Sequence, residues 1–327
     1  MDLVTGSTGF IGNVLLRELL ERGRDVKAFM RPTSDASILK DLDIEKVTGN
    51  ILDLSSLDRA FKGVDTVYHL AARITLLPWE DSLIKECNLE GTRNVLKACL
   101  KNGVRKLIYT STIHALKEPP EGTVIDENMP FDTANQRGEY DRSKALSSME
   151  VIEAGADSLH TVVVCPTGTL GPFDWRVSSI TRMFIDYYNR SMKIGIGGAY
   201  DFVDVRDVAR GHILAALKAP SAENYILSGE RMTLKQMFSI LEEVTGVPAP
   251  SVYVPMGLAR TFSRITPLYY RLSKRPPIFT SYSLSTLCSN SFISHEKASR
   301  ELGYRPGTVK QSVIDTFTWL KESGLVN

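Results

Sequence analysis

The sequence predicts an α/β fold in which a doubly wound parallel sheet is joined to a smaller, mainly helical C-terminal lobe. Three observations predict this fold. Short apolar runs alternate with amphipathic runs through the first half of the chain, a glycine-rich turn follows the first apolar run, and the pattern changes after about Pro166. Repeated strand–helix–strand units of this kind favour right-handed crossovers and a parallel sheet.

The predicted strands are short, apolar and rich in β-branched residues, as expected for a sheet that is buried on both faces. They comprise residues 2–5, 25–30, 45–48, 64–70, 105–110 and 160–165, with Tyr225-Ile226-Leu227 as a last strand.

The predicted helices follow from apolar residues that recur at helical spacing. Residues 10–22 place valine and leucine side chains on one face, and Gly23 fits the position just after the helix end. A longer helix is predicted for residues 80–102, and another from about Glu139 to Glu153.

Beyond Pro166 the pattern is less regular. Residues 171–200 form a mixed segment, and residues 202–218 are predicted to return to the main sheet through a helix. From Thr233 onward the chain is predicted to be mainly helical, with proline breaks.

The composition is that of an ordinary globular protein, with 43% hydrophobic and 24% charged residues among 327. The net charge of +1 provides no field that would recruit nucleic acid or an acidic membrane. The four cysteines lie far apart and the histidines lack ligand spacing, so we predict neither disulfides nor a metal site. The first strand starts near Met1 and no apolar run approaches about 20 residues, so we expect a cytoplasmic protein without membrane insertion.

Three glycines spaced three apart lie between the first predicted strand and the first predicted helix. Gly6 permits a tight turn, Gly9 lets the backbone approach a diphosphate, and Gly12 permits close packing of the helix on the sheet. The free N–H groups and the dipole of the helix N-terminus favour phosphate. The sequence therefore predicts a Rossmann-type dinucleotide-binding domain at 1–170 plus about 201–228, with a substrate-binding lobe at about 171–200 plus 229–327.

Tyr140 and Lys144 are four residues apart and share a helix face. A free tyrosine has a pKa of about 10, too high for efficient proton transfer near neutrality. A neighbouring ammonium group favours the phenolate and lowers that pKa. The pair is therefore predicted to transfer a proton in redox chemistry beside a nicotinamide.

The segment TGSTGFIG at residues 5–12 resembles the fingerprint of the extended short-chain dehydrogenase/reductases. That group includes nucleotide-sugar epimerases and dehydratases, dihydroflavonol reductases and 3β-hydroxysteroid dehydrogenases. The resemblance covers nearly the whole chain. Further matching segments are GNILD at 49–53, HLAA at 69–72, NLEGTRN at 88–94, YTST at 109–112, PTG at 166–168 and DFVDVRDVA at 201–209.

The resemblance implies roles for individual residues. Thr112 would orient the substrate oxygen beside Tyr140 and Lys144, with Ser111 as the alternative if the register slips by one. Asp53 would meet the adenine edge, and Asn88 would steady the cofactor side of the site. The residues implied in cofactor binding are Gly6, Thr8, Gly9, Phe10, Ile11, Gly12, Arg31, Asp53, Leu54, Leu70, Ala71, Ala72, Asn88, Thr110, Tyr140, Lys144, Pro166, Thr167 and Gly168.

The end of the second strand predicts which nicotinamide cofactor is bound. NAD sites usually place an acidic residue there, whereas NADP sites place an arginine for the 2′-phosphate. Here Met30 takes the place of the acid and Arg31 follows it. The sequence therefore favours NADP(H), with NAD(H) as the alternative.

The favoured activity is reduction of a ketone or aldehyde, or oxidation of the alcohol, by a dihydroflavonol reductase-like enzyme. One alternative is a nucleotide-sugar epimerase or dehydratase with tightly bound NAD, and a second is a non-catalytic cofactor-sensing protein. A homodimer is expected through residues 80–102 and 139–156. The substrate-pocket candidates are Thr169, Phe173, Trp175, Arg176, Met183, Tyr187 and Tyr188, with local core packing as the alternative for the aromatic side chains.

Overall fold

The computed structural model describes residues 1–74, 81–254 and 281–326. The strands are β1 Asp2–Thr5, β2 Val26–Met30, β3 Glu45–Thr48, β4 Thr66–His69, β5 Lys106–Thr110, β6 His160–Pro166, β7 Gly168–Leu170, β8 Ile194–Ile196, β9 Ala199–Asp204, β10 Glu223–Leu227, β11 Glu230–Thr233 and β12 Val252–Val254.

The α-helices are α1 Phe10–Glu21, α2 Leu54–Ala60, α3 Asp81–Lys85, α4 Gly91–Asn102, α5 Glu139–Asp157, α6 Ser179–Tyr188, α7 Val205–Lys218, α8 Leu234–Thr245, α9 Ser281–Leu287, α10 Glu296–Leu302 and α11 Val309–Glu322. A π-helical turn, Glu86–Glu90, joins α3 to α4. None of the helices in the described part of the chain is long and apolar enough to cross a membrane.

The central sheet confirms the predicted fold class. Within the described residues it has seven strands in the order β10-β6-β5-β4-β1-β2-β3. Every neighbouring pair is parallel. Because β1 pairs with both β2 and β4, the strand order reverses at β1, and folds of this kind bind ligands at that point.

Two hydrophobic clusters cover the faces of this sheet. Successive side chains of a strand point to opposite faces, and Val4 accordingly joins one cluster while Leu3 joins the other. Helices α1 and α7 pack against each other on the Val4 face, and α2 and α4 do so on the Leu3 face. This arrangement leaves the carboxyl ends of the strands free to carry polar groups.

A third cluster lies around the smaller sheets β11-β9-β7 and β12-β8. It combines side chains from α6, α8 and α11. The division of the chain into two units stays a prediction. So does a mainly helical chain from Thr233 onward, because residues 255–280 lie outside the described part.

Several elements differ from the sequence predictions, and the start of α7 and the presence of α2 have a clear physical reason. Residues 202–218 begin as the end of β9, and α7 starts only at Val205 because the Asp204 carboxylate caps it by accepting from the Arg206 amide. Helix α2 was not predicted, since it is a short polar segment whose start depends on a cap by Asp53.

Candidate active site

The glycine-rich turn joins β1 to α1 where the strand order reverses. Gly6 has φ 68°, in the left-handed region, and a Cβ atom there would lie 2.7 Å from the Ala71 amide nitrogen. A Cβ at Gly12 would lie 2.2 Å from the Gly6 carbonyl oxygen. The first turn of α1 carries no acidic residue. The backbone thus forms a cradle that fits a diphosphate.

Side chains hold this turn against the neighbouring elements. The Ser7 hydroxyl donates to the Phe29 carbonyl at 3.0 Å. The Asn13 amide donates to the carbonyls of Gly9 at 2.8 Å and Phe173 at 3.2 Å. The turn is therefore fixed both to β2 and to the loop that follows β7.

A chain of hydrogen bonds crosses the carboxyl ends of β1 and β4. The Ala71 amide donates to Thr5 Oγ1, which lies 2.7 Å from His69 Nδ1, and His69 Nε2 lies 3.1 Å from Thr92 Oγ1. Thr92 in turn donates to the Asn88 carbonyl at 2.6 Å. Burial lowers the pKa of His69 to about 3, so the imidazole is neutral and its role is structural.

Asn88 lies in the π-helical turn and links two segments beside the site. Its side-chain amide accepts from the Arg73 amide at 2.8 Å and donates to the Arg73 carbonyl at 3.1 Å. It also donates to the Ser143 hydroxyl on α5 at 3.1 Å. Asn88 therefore fixes the chain after β4 relative to the helix that carries the predicted acid–base pair.

Tyr140 and Thr112 come together at the carboxyl end of β5. Burial raises the pKa of Tyr140, the Asp141 carboxylate raises it further, and the nearby Thr112 hydroxyl lowers it. The net direction is upward, opposite to the lowering by Lys144 that the sequence argument expected. The phenol of the ligand-free protein is therefore a protonated group at neutral pH.

Lys144 is only 2% exposed. Its ammonium group donates to the Thr110 carbonyl and lies 4.2 Å above the ring of Tyr109. Burial lowers the pKa of Lys144 to about 7, because its neighbours offer a carbonyl and a ring face in place of water. An amine with this pKa can change charge near neutrality.

The register question between Ser111 and Thr112 is answered by their neighbours. The Ser111 hydroxyl accepts from the Ser148 hydroxyl on α5 at 2.7 Å. Thr112 is the hydroxyl that interacts with Tyr140. The structure therefore brings Thr112 to Tyr140, and the orienting role of Thr112 stays a prediction.

A hydrogen-bonded group that the sequence did not predict lies near Tyr140 and Thr112. Arg137 Nη1 lies 2.6 Å from His114 Nδ1, and His114 Nε2 lies 2.7 Å from the Tyr200 hydroxyl. Burial lowers the pKa of His114 to about 3, so the ring is neutral. Because arginine can only donate to Nδ1, Nε2 carries the proton and donates to Tyr200. No local motif marks this contact, since Tyr200 and His114 are 86 residues apart.

The predicted Pro166-Thr167-Gly168 segment lies against β9. The Thr167 hydroxyl donates to Asp201 at 2.6 Å, and the same carboxylate accepts from the Gly229 amide at 2.9 Å. Burial raises the pKa of Asp201 to about 6. A Cβ at Gly168 would lie 2.6 Å from the Tyr200 ring, so glycine is required for this close approach.

The other predicted cofactor residues lie around the end of the sheet. Arg31 is exposed directly after β2, and Ala72 is exposed after β4. Asp53 is also exposed and caps α2 by accepting from the Ser55 amide at 3.0 Å. Residues Phe10, Ile11, Leu54, Leu70 and Ala71 are partly buried against the two clusters of the central sheet.

Among the predicted substrate residues, Tyr187 is a correction. Its ring is 1% exposed in the third cluster and its hydroxyl donates to the Val247 carbonyl, so its role is packing. Met183 and Tyr188 pack against the same cluster. Trp175 is 41% exposed.

Thr169 and Arg176 also have partners outside a substrate pocket. The Thr169 hydroxyl donates to the Thr167 carbonyl at 3.2 Å. Arg176 Nη2 donates to the Thr8 hydroxyl at 2.7 Å, which places Arg176 at the glycine-rich turn.

These features define a Rossmann-type nucleotide-binding fold that gathers Tyr140, Thr112 and Lys144 at the carboxyl end of β5. Residues 3–227 match the model of the NAD-dependent epimerase/dehydratase family. The chain belongs to this family of extended NAD(P)-dependent short-chain dehydrogenase/reductases.

Named relatives include several reductases. The chain is 33% identical over 326 residues to sterol demethylase protein B of Methylococcus capsulatus, with 99% of each chain covered. It is 30% identical to a putative dihydroflavonol 4-reductase of Synechocystis, covering 99% of this chain and 95% of the relative. It is 31% identical to the 2-alkyl-3-oxoalkanoate reductase of Stenotrophomonas maltophilia, covering 93% and 94%.

Solved structures share the whole fold. The crystal structure of gox2253 matches 100% of this chain and 99% of its own, with a TM-score of 0.88 and 32% identity. The Thermus thermophilus UDP-glucose 4-epimerase in complex with NAD matches 98% of each chain, with a TM-score of 0.78 and 23% identity.

Proposed function

We propose that the protein is an NADP(H)-dependent oxidoreductase that reduces the ketone or aldehyde of a small molecule, or oxidises the corresponding alcohol. The observation that carries this proposal is the group formed by Tyr140, Thr112 and the buried Lys144 at the carboxyl end of β5. The glycine-rich cradle at the neighbouring end of β1 supports a dinucleotide cofactor for the same site.

When bound, the nicotinamide cofactor supplies or accepts a hydride. Tyr140 keeps its proton at neutral pH because burial raises its pKa, so the phenol is suited to donate that proton to a developing alkoxide. Thr112 holds the same substrate oxygen by a hydrogen bond. In the oxidising direction Tyr140 accepts the proton instead. Lys144, with its pKa near 7, stabilises the phenolate when it is charged.

The preference for NADP(H) is supported by the end of β2. Met30 closes the strand and the exposed Arg31 follows it, so a fixed positive charge stands where an acidic residue would reject a phosphate. NAD(H) remains the competing cofactor. A direct comparison of the two Kd values by calorimetry decides between them, and a lower Kd for NADH would overturn the preference.

Reduction is favoured over epimerisation by the relatives that match nearly the full chain. Two of them are named for reduction of a carbonyl compound, a dihydroflavonol and a 2-alkyl-3-oxoalkanoate. The competing function, a nucleotide-sugar epimerase or dehydratase, is supported by the family model. An epimerase regenerates its cofactor within each turnover, whereas a reductase consumes NADPH.

The test combines a substrate panel with one variant. The purified protein is assayed for retained cofactor and for NADPH consumption with dihydroflavonols, 3-oxoalkanoates and 3-ketosteroids. We expect net consumption by the wild type and a loss of about 10³-fold in kcat for Tyr140→Phe, with the Kd for NADPH unchanged.

The matched control is Tyr225→Phe, because that hydroxyl bonds Glu301 at the edge of the sheet. This control should retain wild-type turnover. Near-normal turnover in Tyr140→Phe would remove the tyrosine from the chemistry. Tightly retained NAD with sugar-nucleotide turnover, and no net NADPH consumption, would establish the epimerase instead.

We also propose a homodimer built on α3, α4 and α5. These helices expose Leu83, Leu100 and Met149, whose side chains are 47%, 51% and 49% accessible. Exposed apolar residues on adjacent helices favour contact with a second copy. The molar mass in solution tests this proposal, and a monomer at micromolar concentration would overturn it.

A further inference from the structure

The loop between β7 and α6 reaches back to the glycine-rich turn. Arg176 Nη2 donates to the Thr8 hydroxyl at 2.7 Å, across 168 residues of sequence. The Phe173 carbonyl accepts from Asn13 on α1, and the Phe173 ring lies under the Arg17 guanidinium at 4.7 Å. The β7–α6 loop, which follows the Pro166-Thr167-Gly168 segment, therefore lies against the glycine-rich turn.

This loop is held in an unusual backbone conformation. Phe173 has φ 71° and Val177 has φ 51°, in the left-handed region that non-glycine residues rarely adopt. The buried Asp174 fixes the loop by accepting from the Ser178 amide and the Thr181 hydroxyl, each at 2.7 Å. Such conformations persist only where surrounding contacts determine them, and they cluster at ligand clamps.

Arg176 and Arg31 bring two positive charges to the same edge of the cradle. Partial burial lowers the pKa of Arg176, and the charge of Arg31 lowers it further, whereas Asp35 and Asp174 raise it. Among the residues that the structure describes, neither guanidinium lies within 4.0 Å of a carboxylate. Arg17, which lies over the Phe173 ring, differs in this respect because it forms an ion pair with Asp41. The fold thus holds two like charges close together without a paired anion.

We propose that Arg176 and Arg31 together form a phosphate subsite for the 2′-phosphate of NADP(H). The inference rests on the proposed function. Arg31 directly follows β2, where the adenosine ribose lies in folds of this kind. A phosphate monoester is a dianion with three acceptor oxygens, which matches two guanidinium forks. The substrate half of the chain would thereby take part in the choice of cofactor.

The test uses fragments of the cofactor, so that it does not depend on turnover. Calorimetry compares the Kd of adenosine 2′,5′-bisphosphate with that of ADP, in the wild type and in Arg176→Gln. We expect Arg176→Gln to weaken binding of the bisphosphate by about tenfold to a hundredfold and binding of ADP by less than about threefold. Arg31→Gln should show the same selectivity.

Two further variants control for charge and folding. Arg190→Gln removes one positive charge from an exposed position just after α6, and should leave both Kd values unchanged. Arg176→Lys keeps the charge but loses the fork, and should recover part of the affinity for the bisphosphate. Thermal unfolding of each variant reports whether the protein still folds. If Arg176→Gln does not fold, the comparison of Arg176→Lys with the wild type tests the proposal.

The outcomes separate this subsite from the proposed reaction. Equal weakening of bisphosphate binding and ADP binding would mean that Arg176 contacts the diphosphate. Unchanged affinities would mean that Arg176 only stabilises the contact with Thr8. Either result overturns the proposal. The protein could bind the bisphosphate through Arg176 and yet consume no NADPH. That result would support the subsite and contradict the reductase function.

Discussion

The glycine-rich turn and the loop after β7 meet at Thr8, but they are stabilised in different ways. In the turn, the Gly9 amide donates to the Gly6 carbonyl at 2.8 Å, and the Asn13 amide donates to the Gly9 carbonyl at 3.0 Å. The loop also has local hydrogen bonds through Asp174, but its placement against the turn depends on distant partners, since Arg176 binds Thr8 and Trp175 packs edge-on against Trp319 at 5.1 Å. A structure that depends on neighbouring residues can be recognised from a sequence motif. A structure that depends on contacts between distant segments cannot.

The largest effect is expected at Gly12, because the turn leaves no space for a side chain there. A Cβ at Gly12 would lie 2.2 Å from the Gly6 carbonyl oxygen, which is backbone and cannot rotate away. We expect Gly12→Ala to lower the free energy of unfolding by about 3 kcal/mol and to abolish measurable NADPH binding. Urea unfolding and calorimetry measure the two effects.

Gly197→Ala is the matched control between β8 and β9, because a Cβ there meets no atom within 4 Å. Its free energy of unfolding should change by less than about 0.5 kcal/mol. If Gly12→Ala bound NADPH as well as this control does, the close approach at the turn would have no role in cofactor binding.

The same contrast explains what the sequence predicted. The parallel sheet and the cradle follow from the alternation of apolar runs and from three glycines, and both are local signals. The contact between Tyr200 and His114 and the position of Arg176 depend on how β9 and the β7–α6 loop pack. The aromatic character of Tyr187 fits either a pocket or the core, and only its neighbours in space place it in the core.

The buried Lys144 offers a second effect, which depends on pH. Burial lowers the pKa of Lys144 from 10.5 to about 7 in the folded protein. Below pH 7 both states carry the proton and the folded state bears the full cost of the buried charge. As the pH rises from 7 to 10.5, only the unfolded state keeps the proton, so the wild type gains stability.

The Lys144→Met variant has no titratable group at this position. Its stability therefore lacks this dependence on pH. We expect its free energy of unfolding, relative to the wild type, to be more favourable at pH 6 than at pH 9.5 by about 3 kcal/mol. Chemical denaturation at the two pH values measures the difference, and turnover should be lost at both. An equal stability difference at the two pH values would mean that Lys144 keeps an ordinary pKa.

The smallest effect concerns Tyr187, which belongs to the third hydrophobic cluster. Tyr187→Phe removes the hydrogen bond to the Val247 carbonyl and leaves the ring packing intact. We expect a loss of about 1 kcal/mol in the free energy of unfolding, with KM and kcat unchanged. A rise in KM without a loss of stability would return Tyr187 to the substrate pocket.

The central claim is that the glycine-rich turn delivers a nicotinamide to the hydroxyls of Tyr140 and Thr112. A crystal structure of the complex with NADP⁺ tests it most directly. We expect the nicotinamide ring beside both hydroxyls, with the ribose held by Lys144 and the 2′-phosphate between Arg31 and Arg176. A nicotinamide ring remote from Tyr140, or a diphosphate bound away from Gly6 and Gly12, would contradict it.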